Sequence, residues 1–577
     1  MRRAFWAAVV IAGLIGAFAG AQPATLVARG CAFALAIASL VVLIGWSGQL
    51  NLHVAAIGLG WGAYAAAGLV VAHVPPLLAI IVAPLIVAPI ALIVAAAAVR
   101  FRGIELAVAT LAAGLAFEQM VFQNIGRWLA RAQSATATQS AVVGVARPHA
   151  FQGDRVFALL ALAYAAVWII AAAYVGRGRP GRTIRVVRDR EIVAEARGVP
   201  AAAWRIGALV LSIVIASAGG ALLALQSGAV SPDAFGLTLS LQLLAVAVVC
   251  GIGRLEAAVF GAAVIIVSQE AASIPVLNLL SGARANLVFG AGLIAVLALR
   301  ARRKERPGEL LTRAEELADG RAQRNGSGRH AEDLYSPTLL RVEAVSVSFG
   351  PHRVLDGVDL RVGEGEVCGL VGGNGAGKTT LFNCITGLVQ PDSGRVFLGG
   401  TDVTDIPPHR RARLGLARTF QGVEVFEGLT VEEGLLVAAE LRSARADRDA
   451  ARARVHEALD AVGLSTLTDA DPATLPLEIL RLIEIAQALV ADPTLVLLDE
   501  PLAGLDDAER RRVLAAIHDL RARGRGVLIV EHDRASVSQI ADRIYELRDG
   551  RAHAVLRLPQ TPRTRRSTKG GRVAARA

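Results

Sequence analysis

Between Gly30 and Val99 the chain carries no Asp, Glu, Lys or Arg. A stretch of that length without charge cannot face water. Its absence of charge excludes a soluble fold there and leaves membrane-spanning helices, each needing about 18 or more apolar residues. Cysteine is scarce: Cys31 and Cys250 stand in apolar runs, Cys368 and Cys384 in the charged second half, and none has CxxC or metal-ligand spacing. That excludes a disulfide framework and a cysteine metal centre, and it predicts buried thiols in a reducing compartment. No internal repeat is evident. The net charge of +11 is carried by Arg-rich loops beside the apolar runs and by a basic tail, "TPRTRRSTKGGRVAARA". Nucleic acid is therefore excluded as the partner.

What is present divides the 577 residues into an apolar first half and, after residue 300, a charged half with ordinary strand and helix patterning. Apolar runs predict about ten spans, near 4–20, 25–45, 53–72, 77–99, 104–123, 156–175, 207–226, 237–252, 255–272 and 285–299. The first is expected to be a retained helix, not a cleaved signal peptide. Arg2, Arg3, Arg100, Arg102, Arg254 and the run "RARRKER" fall on one side, which the positive-inside rule makes cytoplasmic. The connection Gly176–Arg205 falls there too, with eight Arg against three acids. Arg127, Arg131, Arg147, Arg155 and Arg284 land outside, so the rule is followed imperfectly. Within that cytoplasmic connection, Asp189–Arg197 reads as a short helix, with Gly198 suited to its C-terminal cap and Pro200 preventing continuation. The interrupted stretch "GWSGQLNLH" between the second and third spans is a candidate lining of a transport path, since broken helices often serve that role.

The expected organisation is a transmembrane domain over 1–300, a charged linker over 301–337, an α/β domain over 338–558 and a disordered basic tail over 559–577. The linker is polar and rich in Gly and Ser. In the α/β domain, "GLVGGNGAGKTTLFNCITGL" follows the apolar strand "EVCGLV" and opens a helix. That context turns Gly372-x-x-x-x-Gly377-Lys378-Thr379 into a phosphate loop. Backbone N–H groups of Gly372, Gly373, Asn374, Gly375, Ala376 and Gly377 curl around phosphate oxygens, and the helix N-terminus adds a favourable field. Lys378 would reach the β- and γ-phosphates, Thr379 would ligate Mg²⁺, and Thr380 completes the motif. "TLVLLDEP" ends a buried strand on Asp499, which would hold Mg²⁺ through water, and Glu500, which would polarise the attacking water. "GVLIVEHD" places His532 at another strand end, and "LARTFQ" places Gln421 within reach of Mg²⁺ and water.

Together these spacings resemble the nucleotide-binding domain of ABC transporters over essentially all of 338–558. The resemblance implies a P-loop NTPase fold that binds ATP with Mg²⁺, with Gln421 as the Q-loop, Ala503–Asp506 as the D-loop and Phe349 stacking on adenine. The wording "ARTFQGVEVFEGLTVEEGLLVA" is similar to one ATPase subunit of branched-chain amino acid importers. Four membrane segments, 40–69, 99–114, 182–205 and 230–262, resemble the permease of the same importers. The third of these matches the cytoplasmic coupling loop. The family's Gly-rich segment after the fifth span is replaced by "ARAQSATATQSAVVGV", so the solute need not be the family's usual one.

One departure falls on the signature motif. In the family each ATP lies between one chain's phosphate loop and the other chain's L-S-G-G-Q-type helix start. Here Leu475, Pro476, Leu477, Glu478 and Ile479 occupy that place. Pro476 has neither hydroxyl nor N–H to donate. Glu478 supplies an internal anion to the helix N-terminus, stabilising it by roughly 0.3–1 kcal/mol. Beside a γ-phosphate it would repel by about 4 kcal/mol per charge pair at 4 Å and an effective dielectric of 20.

The resemblance thus implies a fused permease and ATPase in the inner (plasma) membrane, with the ATPase domain cytoplasmic and lipid around the spans. It would import a branched-chain or related amino acid, assembled with a second permease, a second ATPase carrying an intact signature and an extracytoplasmic substrate-binding protein. The alternatives are a urea or short-chain amide importer, or an ATP-binding regulatory subunit that does not turn over.

Overall fold

The computed structural model describes residues 21–101, 104–134, 141–147, 151–270, 337–420, 426, 428–441, 448–531 and 534–557. The chain divides into two compact units, Met1–Glu191 with Pro200–His330, and Ile192–Val199 with Ala331–Ala577.

In the first unit the apolar runs form helices because lipid leaves backbone groups no other partner. Among the described residues six are long and apolar enough to cross a membrane: Ala21–Trp46, Pro76–Ala98, Ile104–Gln133, Asp154–Arg177, Ala201–Ser227 and Pro232–Cys250. Two shorter apolar helices, Ala55–Val71 and Glu256–Val267, fill two more expected positions. Eight of the ten expected spans are thus helical, and the runs at 4–20 and 285–299 lie outside the described residues. Ala21–Trp46 and Ala201–Ser227 are 83% and 78% buried, against 22–33% for the other four long helices, so these two form the centre of the unit. Small residues let Ala201–Ser227 pack closely against Ala55–Val71. A Cβ on Gly220 would come within 1.9 Å of the Leu59 carbonyl oxygen, and one on Gly62 within 2.0 Å of that of Ser217.

The stretch around "GWSGQLNLH" is unwound between Trp46 and Val54 and flanked by π-helical turns, Val41–Trp46 and Ala55–Gly60. Side chains take over the freed backbone groups. The Thr110 hydroxyl accepts from the Leu52 N–H (3.3 Å), the Asn51 amide oxygen from that of His53 (2.9 Å), and the Ser240 hydroxyl from that of Ala55 (3.0 Å). The connection Gly176–Arg205 folds as helices Arg179–Asp189 and Glu191–Ala196. The second ends as expected on Gly198 at φ +92°, with the Val199 N–H returning to the Ala194 carbonyl at 3.0 Å.

Among the described residues the first unit also carries a short antiparallel pair, β1 (Val143–Gly144) with β2 (Ala229–Val230), and the second unit contains two sheets. An antiparallel one runs β4 (His352–Gly363), β3 (Thr338–Phe349), β6 (Ser393–Leu398), β7 (Thr401–Asp402). The other runs β12 (Arg551–Arg557), β11 (Arg543–Arg548), β5 (Val367–Val371), β10 (Gly526–Val530), β9 (Leu495–Asp499), β8 (Leu416–Arg418). Its neighbours pair in parallel except β11 with β12. β5, β9 and β10 are buried along their whole length, which is why they read as unbroken apolar runs and not as alternating ones.

Candidate functional site: a phosphate loop and an acidic strand end

Parallel strands bring their carboxyl ends to one edge, where α/β proteins bind ligands. The register aligns Leu370 of β5, Val530 of β10 and Asp499 of β9 in one row. The loop Gly372–Gly377 therefore leaves the sheet with one strand, β10, between it and Asp499 and Glu500. Gly375 and Gly377 take φ +76° and +98°, and a Cβ on Gly377 would lie 2.9 Å from Leu355 Cδ2. Only glycine fits that tight loop. The helix Lys378–Thr386 starts directly after it.

Lys378 is buried, and its ammonium donates to the carbonyls of Gly372 (2.7 Å) and Gly373 (3.0 Å). Burial draws it below the usual ammonium range, while the Glu500 and Asp499 carboxylates oppose that shift. Burial also raises the Asp499 carboxyl, with Arg418 opposing. Asp499 Oδ2 is buried and accepts no hydrogen bond among the described residues, and Arg418 Nη2 stands 3.5 Å from it. Glu500 sits at φ +50°, a strained backbone for a non-glycine residue, held by its N–H to the Val530 carbonyl (3.0 Å). A cavity of about 20 Å³, the volume of one water, is lined by Thr419, Phe420, Glu484, Asp499 and Glu500.

A glycine cradle with a buried lysine, beside a carboxylate with an oxygen that accepts no hydrogen bond among the described residues, is the donor set that fits nucleotide phosphates and a hard cation. Thr379 is exposed at the loop, and Thr380 follows on the same helix. Phe349 closes β3 and is 54% exposed, so it is open to a stacking partner. Gln421 and His532 lie outside the described residues. Of the described residues near them, the Thr419 N–H donates to the Leu497 carbonyl (2.9 Å), and Glu531, directly after β10, accepts from the Leu502 N–H (3.0 Å).

Sequence reading passed over Arg418. Its guanidinium donates to the Asn383 amide oxygen (2.6 Å) and the Thr386 hydroxyl (3.2 Å) on the phosphate-loop helix, pairs with Asp499, and lies 4.9 Å over the Phe420 ring. One side chain thus ties the loop helix to the acidic strand and the approach to Gln421. The signal was an arginine inside the buried strand "LAR", which needs a partner to be buried at all. Glu484, whose carboxylate accepts from the Phe420 N–H (2.7 Å), was also passed over.

At the signature position the helix runs Leu477–Leu489, with Pro476 at its N-cap and Glu478 in its first turn. No side chain caps it by a hydrogen bond, and Glu478 stands in the first turn as the acidic residue there. Asp471 caps instead the short turn Pro472–Thr474 upstream, where its carboxylate accepts from the Ala473 N–H at 3.0 Å.

Residues 355–503 match the family model described as ABC transporter. The lipopolysaccharide export system ATP-binding protein LptB of Acidithiobacillus ferridurans is 39% identical over 37% of this chain and 88% of its own length. The chain belongs to the ABC transporter family. The high-affinity branched-chain amino acid transport ATP-binding protein BraF of Pseudomonas aeruginosa is 36% identical over 37% of this chain and 90% of its own length. A solved structure titled "Structure of ATP binding subunit of ABC transporter" is matched at 29% identity and TM-score 0.35, over 37% of this chain and 88% of that one. Residues 24–297 match the family model described as branched-chain amino acid transport system / permease component. This ABC protein is therefore a membrane protein in which a permease domain is fused to an ABC ATPase domain that binds ATP. ATP hydrolysis coupled to transport follows from that class.

Proposed function

We propose that this chain drives import of a branched-chain or related amino acid across the inner membrane as one half of an asymmetric ATPase pair. One observation carries the reading. The phosphate loop and acidic strand end are whole, whereas Pro476 and Glu478 stand where a partner's γ-phosphate needs a hydroxyl and N–H donors. Thr379, Asp499 through water, and Gln421 would hold Mg²⁺. Glu500 would polarise the attacking water, His532 would contact the γ-phosphate, and Phe349 would stack on adenine. A homodimer would contain two impaired sites, so the second ATPase is a different subunit with an intact signature. A second permease and an extracytoplasmic binding protein complete the importer.

The permease family description and the BraF relative support the amino acid reading, while LptB, of comparable identity, is named for lipopolysaccharide export. The ATPase half alone therefore does not choose the solute. Uptake of labelled leucine and urea into cells with and without this gene tests it directly. Gene-dependent leucine uptake supports the proposal. Urea uptake without leucine uptake replaces it by the urea and short-chain amide reading. For the nucleotide half, Glu500→Gln is expected to abolish turnover of the full complex, and unchanged turnover would remove Glu500 from the role of base.

A further inference from the structure

Glu118 lies midway along the membrane-crossing helix Ile104–Gln133, in its π-helical stretch Phe117–Phe122. An ionisable group at that depth is expensive unless it serves a pathway, and π-helical turns recur at functional positions. The side chain faces an open cavity of about 540 Å³ that also receives Asp233, Thr238 and Gln242, with Phe33, Leu115 and Leu237 among its apolar walls. Asp233 belongs to the short turn Pro232–Phe235, and the next residue, Gly236, leaves room for Glu118: a Cβ there would stand 3.3 Å from Glu118 Oε1.

Behind the carboxylate stands His53, at the end of the unwound stretch and fully buried. Its Nδ1 meets the Ser240 hydroxyl at 3.2 Å, and its Nε2 stands 3.3 Å from Glu118 Oε2 but outside hydrogen-bonding geometry. Gly114, one turn before Glu118, exists to admit that ring, since a Cβ there would fall 2.2 Å from His53 Cγ. The helix break, the π-helical turn and two glycines thus converge on one carboxylate at the wall of a solute-sized cavity. Among the described residues two carboxylates line this cavity, and no Lys or Arg does. Such a wall attracts N–H donors and repels a carboxylate.

We propose that this cavity binds the N–H-donating head of the transported solute, an ammonium or amide group, at Glu118 and Asp233, with the aliphatic body against Phe33, Leu115 and Leu237. His53 is a positioning residue that holds Glu118. The inference rests on the first unit being a solute permease, and it adds which end of the solute the protein grips. It does not require that the solute be leucine.

The test separates those two claims. The full-length chain, purified in detergent, is treated with a hydrophobic carbodiimide, and modification of Glu118 is followed by mass spectrometry of its peptide. Four probes with similar branched aliphatic bodies are compared at millimolar concentration: isoamylamine, isovaleramide, isovalerate and leucine. The amine, the amide and leucine are expected to slow Glu118 modification and isovalerate is not. Among them, stronger protection by the amine points to an ammonium head, and stronger protection by the amide to an uncharged one. Protection by isovalerate equal to that by the amine, protection by none of the four, or a Glu118 that never reacts would each overturn the proposal. In cells, Glu118→Gln at unchanged membrane level is expected to raise the uptake KM by about tenfold or more, the loss of one charge-assisted hydrogen bond. His53→Gln is expected to alter the rate of Glu118 modification without probe, which a purely structural histidine would leave unchanged. If cells take up no leucine but the protection pattern holds, the amino acid reading fails and the cavity assignment stands.

Discussion

Replacing Arg418 by Met removes the cation that joins three parts of the nucleotide site while keeping a side chain of similar length. Arg418 and Asp499 side chains are each 2% exposed and their charged atoms stand 3.5 Å apart. At an effective dielectric of 20 the attraction across that distance is about 5 kcal/mol before desolvation is counted. Removing one partner of a buried pair costs roughly 3–5 kcal/mol, because the other charge is left uncompensated. Asn383 and Thr386 also lose a donor, at about 1 kcal/mol each. The expected result is an ATPase domain destabilised by roughly 3–5 kcal/mol, read as a lowered urea midpoint by pulse proteolysis of the detergent-solubilised full chain. Asp499→Asn in the Arg418→Met background should recover part of that loss, since no buried carboxylate then lacks its cation. The double-mutant cycle should therefore depart from additivity by about 2 kcal/mol or more. An Arg418→Met chain that unfolds within about 1 kcal/mol of wild type, or two additive single variants, would refute the reasoning.

Gly377→Ala should abolish ATP binding, measured by fluorescent nucleotide titration, because φ +98° and the contact with Leu355 leave no room for a methyl group. Unchanged affinity would mean the loop is not the phosphate cradle. Arg551 donates to Asp356 Oδ2 at 2.7 and 3.0 Å, and these bonds above all hold the Asp356 carboxyl below the usual carboxylate range. A carboxyl lowered by folding adds stability above its unfolded pKa that is lost as pH falls through its folded value. Asp356→Asn should therefore flatten part of the acid-side fall of the urea midpoint, and an unchanged slope would deny the pair that role. Pro476→Ser with Glu478→Gly restores a hydroxyl and an uncharged helix start, so this double variant should raise the turnover of the chain assayed without any other ATPase. No gain would place the defect elsewhere.

The sequence made most of the nucleotide site legible because its parts are local. A glycine loop between an apolar strand and a helix, or two acids closing a buried strand, announce themselves within ten residues or so of chain. The membrane helices were legible for a similar reason, since a run without charge from Gly30 to Val99 admits one class of structure. What stayed hidden depends on residues distant in sequence. Arg418 gains its meaning from Asn383, Thr386 and Asp499, and Glu118 from His53 and Asp233. The "GWSGQLNLH" break was visible, but not that its last residue would back a carboxylate from another helix. Cys368 and Cys384 are buried free thiols, as their spacing implied, and burial pushes Cys384 up to about 11, so neither is poised to react.

The central claim is that one half-site is whole and the other is not. The most direct measurement is ATP turnover of the purified full-length chain, alone and mixed with a second ATPase subunit that carries an intact signature motif. The asymmetric account predicts negligible turnover alone and restored turnover with the partner, abolished again by Glu500→Gln in this chain. Substantial turnover by the chain alone, sensitive to Glu500→Gln, would contradict it.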